Sequence, residues 1–83
     1  MMEEVKNYEE RRRLGERLAE VRREFDWVDE HGIKRHGITQ PELAKLSGVQ
    51  QGNISRIEGG KYNSTFDTLT MLASAMGKKI DIV

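Results

Sequence analysis

Leu14, Leu18, Val21 and Phe25 recur at spacings of four, three and four, with mainly Arg and Glu in the positions between them. That period sets the four on one stripe of an α-helix that begins near Glu9, with Met1 to Tyr8 a frayed or loosely helical lead-in. Gly15, inside this helix, lowers its stability by about 1 kcal/mol relative to Ala and is read as the mark of a close helix contact. From Asp26 to Gly37, in DWVDEHGIKRHG, the helical period fails. Gly32 and Gly37 signal turns, and Trp27, Val28 and Ile33 alternate poorly for a helix. A small hairpin or an ordered loop is expected there, pinned to the body by Trp27 and Ile33.

Regular structure resumes at Thr39. Glu42, three residues on, completes a capping box, and Pro41 sits in the first turn, where its missing N–H does no harm. The helix runs to about Ser47. Ala44, Gly48 and Ile54 stand four, eight and fourteen residues after Gln40. Each meets one steric demand of two short helices crossing steeply. Ala44 leaves room for the second helix, Gly48 supplies the positive φ that reverses the chain, and Ile54 faces back into the angle. Leu43, Leu46, Val49 and Ile57 are expected to complete the inner faces. Gln50 caps or begins the second helix, whose outward face carries Gln51, Gly52, Ser55 and Arg56. The pattern is a helix-turn-helix that offers its second helix to a DNA major groove.

Gly59 and Gly60 end that helix, and residues 61–64 form a loop in which Lys61, Asn63 and backbone N–H groups are placed to hold phosphate. Thr65 caps a further helix with Phe66, Leu69, Leu72, Ala73 and Met76 as its buried stripe, ended by Gly77. Its methionines are core filler at helical spacing. The tail KKIDIV changes period again: Ile80 and Ile82 alternate with Lys79 and Asp81, a strand pattern with one apolar face. A lone strand needs a mate. Two copies pairing through Ile80 and Ile82 across a two-fold axis give a dimer; pairing with residues 26–37 of the same chain is the competing arrangement.

Composition narrows the setting. At 83 residues the chain is read as one domain near the small end of what folds alone, for which dimerisation is a common support. With no cysteine, disulfides and thiolate metal sites are excluded, and a cytoplasmic setting is expected. No long apolar run suits a membrane span, and the charged start MMEEVKNYEERRR does not suit a signal peptide. Net charge is zero, but residues 1–30 hold seven basic and ten acidic side chains whereas residues 31–83 hold seven and four, so the helix-turn-helix half is the basic one. Arg11 to Arg13 suits the solvated face of a helix better than a phosphate contact. Lys34, Arg35 and His36 either reach a DNA backbone or protein partner or belong to a solvated loop. His31 and His36 complete no zinc-type ligand spacing, and no metal or other cofactor is expected.

The stretch ITQPELAKLSGVQQGNISRIEGGK resembles the helix-turn-helix of the lambda repressor and Cro-type, Xre-like family of bacterial and phage regulators, the likeness covering roughly residues 14–77. It implies an all-α fold: a compact bundle of four to five helices, here with a short C-terminal β-strand (residues 78–83) and an inserted loop (residues 26–37) between the first and second helices. The insertion departs from the family pattern, in which the first helix runs almost directly into the Thr-Gln that opens the next. By resemblance, Arg22 pairs with Glu58 as a structural ion pair that sets the angle of the recognition helix. Gln40 is a phosphate contact, at a helix N-terminus that favours an anion in any case. Gln51 and Arg56 occupy base-reading positions, and their side chains suit the chemistry, Gln pairing with adenine and Arg with guanine. Gly52 departs from the family: it either reads nothing or lets the backbone come unusually close. Gln50, Asn53 and Ser55 are candidates for phosphate or a flanking base.

These features imply a sequence-specific DNA-binding regulator, a dimeric repressor of its own operon on a short inverted repeat of double-stranded DNA. Two alternatives stand beside it: an antitoxin that also masks a partner toxin protein, and a protein-interaction module that reads no DNA. An enzyme is not expected, because no nucleophile, paired carboxylates or phosphate loop converges in the sequence.

Overall fold

The structure, a computed structural model, describes residues 2–61 and 64–80, with side chains from Tyr8 onward. Six elements follow in order: α1 (Met2–Glu24), β1 (Asp26–Val28), β2 (Lys34–His36), α2 (Gln40–Ser47), α3 (Gln51–Glu58) and α4 (Phe66–Ala75). The lead-in belongs to α1, which is helical from Met2.

The segment between α1 and α2 forms a hairpin. β1 and β2 pair antiparallel with Asp26 opposite His36, Trp27 opposite Arg35 and Val28 opposite Lys34. Asp29 builds its turn, the carboxylate accepting from the backbone N–H of His31 at 2.9 Å and of Ile33 at 3.0 Å. Trp27 pins the hairpin down: its indole N–H donates to the Gly37 carbonyl at 2.9 Å, and the ring packs against the core. Ile33 does not share that task. It sits near the turn and is 57% exposed.

Leu18, Ile38, Leu43, Val49, Ile54, Ile57, Leu72 and Met76 form the buried cluster, with Val21, Phe25, Trp27, Ala44, Leu69 and Ala75 packed against it. The helical stripes thus converge as their periods require, with three corrections. Leu14 is 39% exposed, because the α1 face that meets α3 is centred on its neighbour Gly15, about 100° further round the helix. A Cβ on Gly15 would stand 2.2 Å from the Ile57 carbonyl oxygen and 2.8 Å from that of Glu58, so the two backbones touch where no side chain fits. Leu46, 49% exposed, opens onto a groove shared with Trp27 and Val28 instead of lining the angle between α2 and α3. Phe66, 64% exposed, heads the α4 stripe in a first turn that no described element covers.

Ile38, 2% exposed, is a core residue that the periodic reading passed over, since it lies in neither helix. Its backbone N–H donates to the Arg22 carbonyl at 2.9 Å, drawing the start of α2 onto α1. Residues 78–80 form no strand, Ile80 is 39% exposed, and the only sheet among the described residues is β1 with β2. Ile82 lies outside the described residues.

Candidate nucleic-acid interface

α2 starts on the Thr39 hydroxyl, which accepts from the Glu42 N–H at 3.2 Å while the Glu42 carboxylate accepts from the Thr39 N–H at 2.9 Å. The Thr39 hydroxyl also donates to the Glu42 carboxylate at 2.9 Å, and the two bonds this carboxylate accepts hold it below the usual glutamate range, backbone N–H first and hydroxyl second, against the opposing effect of burial. α2 ends at Gly48, whose φ of 83° is the left-handed conformation and whose N–H donates to the Ala44 carbonyl at 2.9 Å. A Cβ there would meet only Met71 Cε at 3.7 Å, so backbone conformation and not crowding calls for glycine.

The chain then passes through Val49 and the extended Gln50, which makes no side-chain cap bond, into α3. Ile54 and Ile57, 0% and 2% exposed, fix the inner side of α3. The rotation this imposes leaves Gln51, Gly52, Ser55 and Arg56 exposed on the outer side, with Asn53 half-buried between the two. Gln50 and Lys61 are exposed as well, and Asn63 lies outside the described residues.

The pitch of α3 is set by a polar cluster at its C-terminal end. The Arg22 guanidinium donates to both Glu58 oxygens, Nε to Oε2 at 2.7 Å and Nη2 to Oε1 at 3.0 Å, and Nη1 donates to the Ile38 carbonyl at 2.9 Å. The Gln40 side-chain amide joins them, donating to Glu58 Oε1 at 2.9 Å. One carboxylate therefore connects α1, the first residue of α2 and the last of α3. With side chains 12% and 8% exposed, Arg22 and Glu58 are largely withdrawn from water, and the bidentate geometry with additional bonds is what makes such a pair tenable. Gln40 is thus half-buried and turned inward, its second amide hydrogen remaining for another acceptor.

The hairpin is fastened along α2. Arg35 lies over the Trp27 ring at 5.8 Å from its centre and pairs with Asp29 at 3.2 Å and Glu42 at 3.5 Å, while Lys45 reaches Glu30 at 3.3 Å. Arg35 is therefore part of the hairpin's attachment, and the outward side chains of β2 are Lys34 and His36, the imidazole of the latter 2.7 Å from the Asp26 carboxylate. The Asp29 carboxyl is held below the usual aspartate range, chiefly by the Ile33 N–H, with the His31 N–H and Arg35 adding to it against the opposing effect of burial. Among the described residues no three His, Cys, Asp or Glu side chains gather as a group that could hold a metal ion. No helix among them is long and apolar enough to cross a membrane.

Comparison with known proteins meets the same region. Residues 33–83 match a family model described as Helix-turn-helix. An uncharacterized HTH-type transcriptional regulator of Haemophilus influenzae is 47% identical over 47 residues, covering 57% of this chain and 48% of that protein. The match thus spans about half the length of that curated relative. No solved structure matches.

Proposed function

Since this chain belongs to the lambda repressor and Cro-type, Xre-like helix-turn-helix family, we propose that it is a DNA-binding transcription regulator that presses α3 into the major groove of a short operator. One observation carries the proposal. The face of α3 opposite the buried Ile54 and Ile57 is polar and exposed, and no described element covers it. Gln51 and Arg56 stand on that face with the two side chains best suited to adenine and guanine edges. Ser55 and Gly52 lie with them, Gln50, Asn53 and Lys61 flank them as proposed contacts to the DNA backbone, and Asn63 is proposed for the same role from its place in the sequence alone. The free amide hydrogen of Gln40 is offered to a phosphate beside the N-terminus of α2.

In this proposal residues 1–83 act as one domain, and two copies bind an inverted repeat with recognition helices about 34 Å apart, one turn of DNA. Ile80 and Ile82, whose alternation with charged neighbours suits a strand, join the copies across the two-fold axis. A promoter occupied in this way is closed to transcription, which makes the regulator a repressor.

Enrichment of a random duplex pool on the full chain tests this directly. The expected product is a palindromic sequence whose affinity falls steeply with salt, log K declining by roughly 0.9 per phosphate neutralised for each unit of log salt. Failure to enrich any sequence, together with no binding at low salt, overturns the reading. Sedimentation of the chain shortened by residues 80–83 tests the dimer separately: loss of the dimer is expected, and an unchanged dimer removes the strand from the account.

A further inference from the structure

Two glycines lie inside described helices, Gly15 in α1 and Gly52 in α3, and only one has a reason within the chain. At Gly15 a Cβ would collide with the backbone of Ile57 and Glu58. At Gly52 a Cβ would meet nothing within 4 Å. Gly52 is not among the glycines with positive φ, so its backbone is one that any residue adopts. It is the second residue of α3, behind the N-cap Gln50, so it caps nothing. Glycine is a poor helix former next to alanine, and here that weakness has no internal compensation. What the missing side chain makes room for is therefore outside the molecule.

The occupant follows from where the gap lies. Gly52 stands beside Gln51 and one turn before Ser55 and Arg56, on the face assigned above to base edges. In the major groove the one apolar group that projects from a base edge is the 5-methyl of thymine. A bare Cα leaves room there for a group the size of a methyl, on the same exposed face as Gln51 and Arg56. We propose that Gly52 is a specificity-determining position whose bare Cα receives a thymine 5-methyl group, one in each half-site; this rests on the assignment of α3 as the recognition helix.

The test uses the full chain and the duplex enriched above. Each thymine of the half-site is replaced in turn by deoxyuridine, which differs only in lacking that methyl, and the wild-type chain is compared with Gly52→Ala. Wild type is expected to lose several-fold in affinity at one thymine per half-site. Gly52→Ala is expected to bind the thymine duplex roughly tenfold or more weakly, the effect of one surplus carbon in a close-fitting site. It should regain most of that loss on the deoxyuridine duplex, where the alanine methyl takes the vacated place. Thermal melting should leave Gly52→Ala as stable as wild type or more so, which excludes misfolding as the cause of weaker binding.

Equal binding of the thymine duplex by the two proteins overturns the proposal. So does an equal loss on thymine and deoxyuridine duplexes, which indicates a backbone or phosphate approach with no methyl in the gap. If wild type enriches no duplex, the recognition-helix assignment fails and this proposal with it. If wild type enriches one and only the Gly52 comparison fails, the assignment stands and the thymine seat alone is lost.

Discussion

Replacing Glu58 by alanine removes the acceptor of three hydrogen bonds, from Arg22 Nε at 2.7 Å, Arg22 Nη2 at 3.0 Å and Gln40 Nε2 at 2.9 Å. Arg22, with a side chain only 12% exposed, keeps the hydrogen bond to the Ile38 carbonyl but loses its counter-charge. Breaking a withdrawn pair from one side costs about 3 to 5 kcal/mol, because the surviving charge keeps its desolvation and loses its counter-charge. Small domains hold roughly 5 to 15 kcal/mol in all, so Glu58→Ala should lose a large share of the stability. At about 4 to 8 °C per kcal/mol, Tm should fall by roughly 12 °C or more. Urea denaturation followed through the fluorescence of Trp27, the only tryptophan, reads the loss as a lower midpoint. Replacing both partners, Arg22→Met with Glu58→Leu, leaves neither charge stranded and should recover much of the deficit. A Glu58→Ala loss under about 1 kcal/mol would refute the reasoning. A double variant whose loss equals the sum of the singles would refute it equally.

Three further outcomes follow from the same geometry. Gly15→Ala forces a Cβ against the Ile57 and Glu58 carbonyls, atoms that cannot rotate away, and should cost about 1 to 3 kcal/mol or more in the same denaturation assay. Gly48→Ala meets no crowding but must hold φ near 83°, and a loss of about 1 kcal/mol is expected. Glu42 has its folded-state pKa lowered by the Thr39 cap, so its stabilising contribution is present above the ordinary glutamate value of 4.5 and is lost as pH falls through the lower folded value. Comparing Tm of wild type and Glu42→Gln across pH checks this: the wild-type advantage at neutral pH should shrink below 4.5, and an advantage that grows on acidification contradicts it.

The parts of this fold that can be read from the sequence are those governed by neighbours a few residues away. Thr39 and Glu42 form their box, Gly48 takes positive φ, and Ile54 and Ile57 face inward, because capping, left-handed turns and helical period are local rules. Period gives a side chain its direction but not its partner. Leu14, Leu46 and Phe66 stand at periodic positions yet stay exposed, Leu46 at an open groove beside the hairpin, while Ile38 is buried without belonging to any period. The same limit governs the polar residues. Gln40 turns to Glu58, eighteen positions away, and Arg35 turns to Asp29 and Glu42, because folding brings those carboxylates within reach. The turn-signalling glycines and the broken helical period placed residues 26–37 outside the helices, but its attachment through Trp27, Arg35 and Lys45 depends on α2 lying alongside. The open space around Gly52 shows only against the crowding around Gly15, and both are properties of the assembled helices.

That the exposed side of α3 reads bases is tested most directly by measuring Arg56→Ala and wild type against every single-base-pair variant of the enriched duplex. Loss of discrimination at one base pair in each half-site is expected, worth about 1 to 3 kcal/mol, with the preferences elsewhere retained. An Arg56→Ala profile that matches wild type at every position would contradict the account.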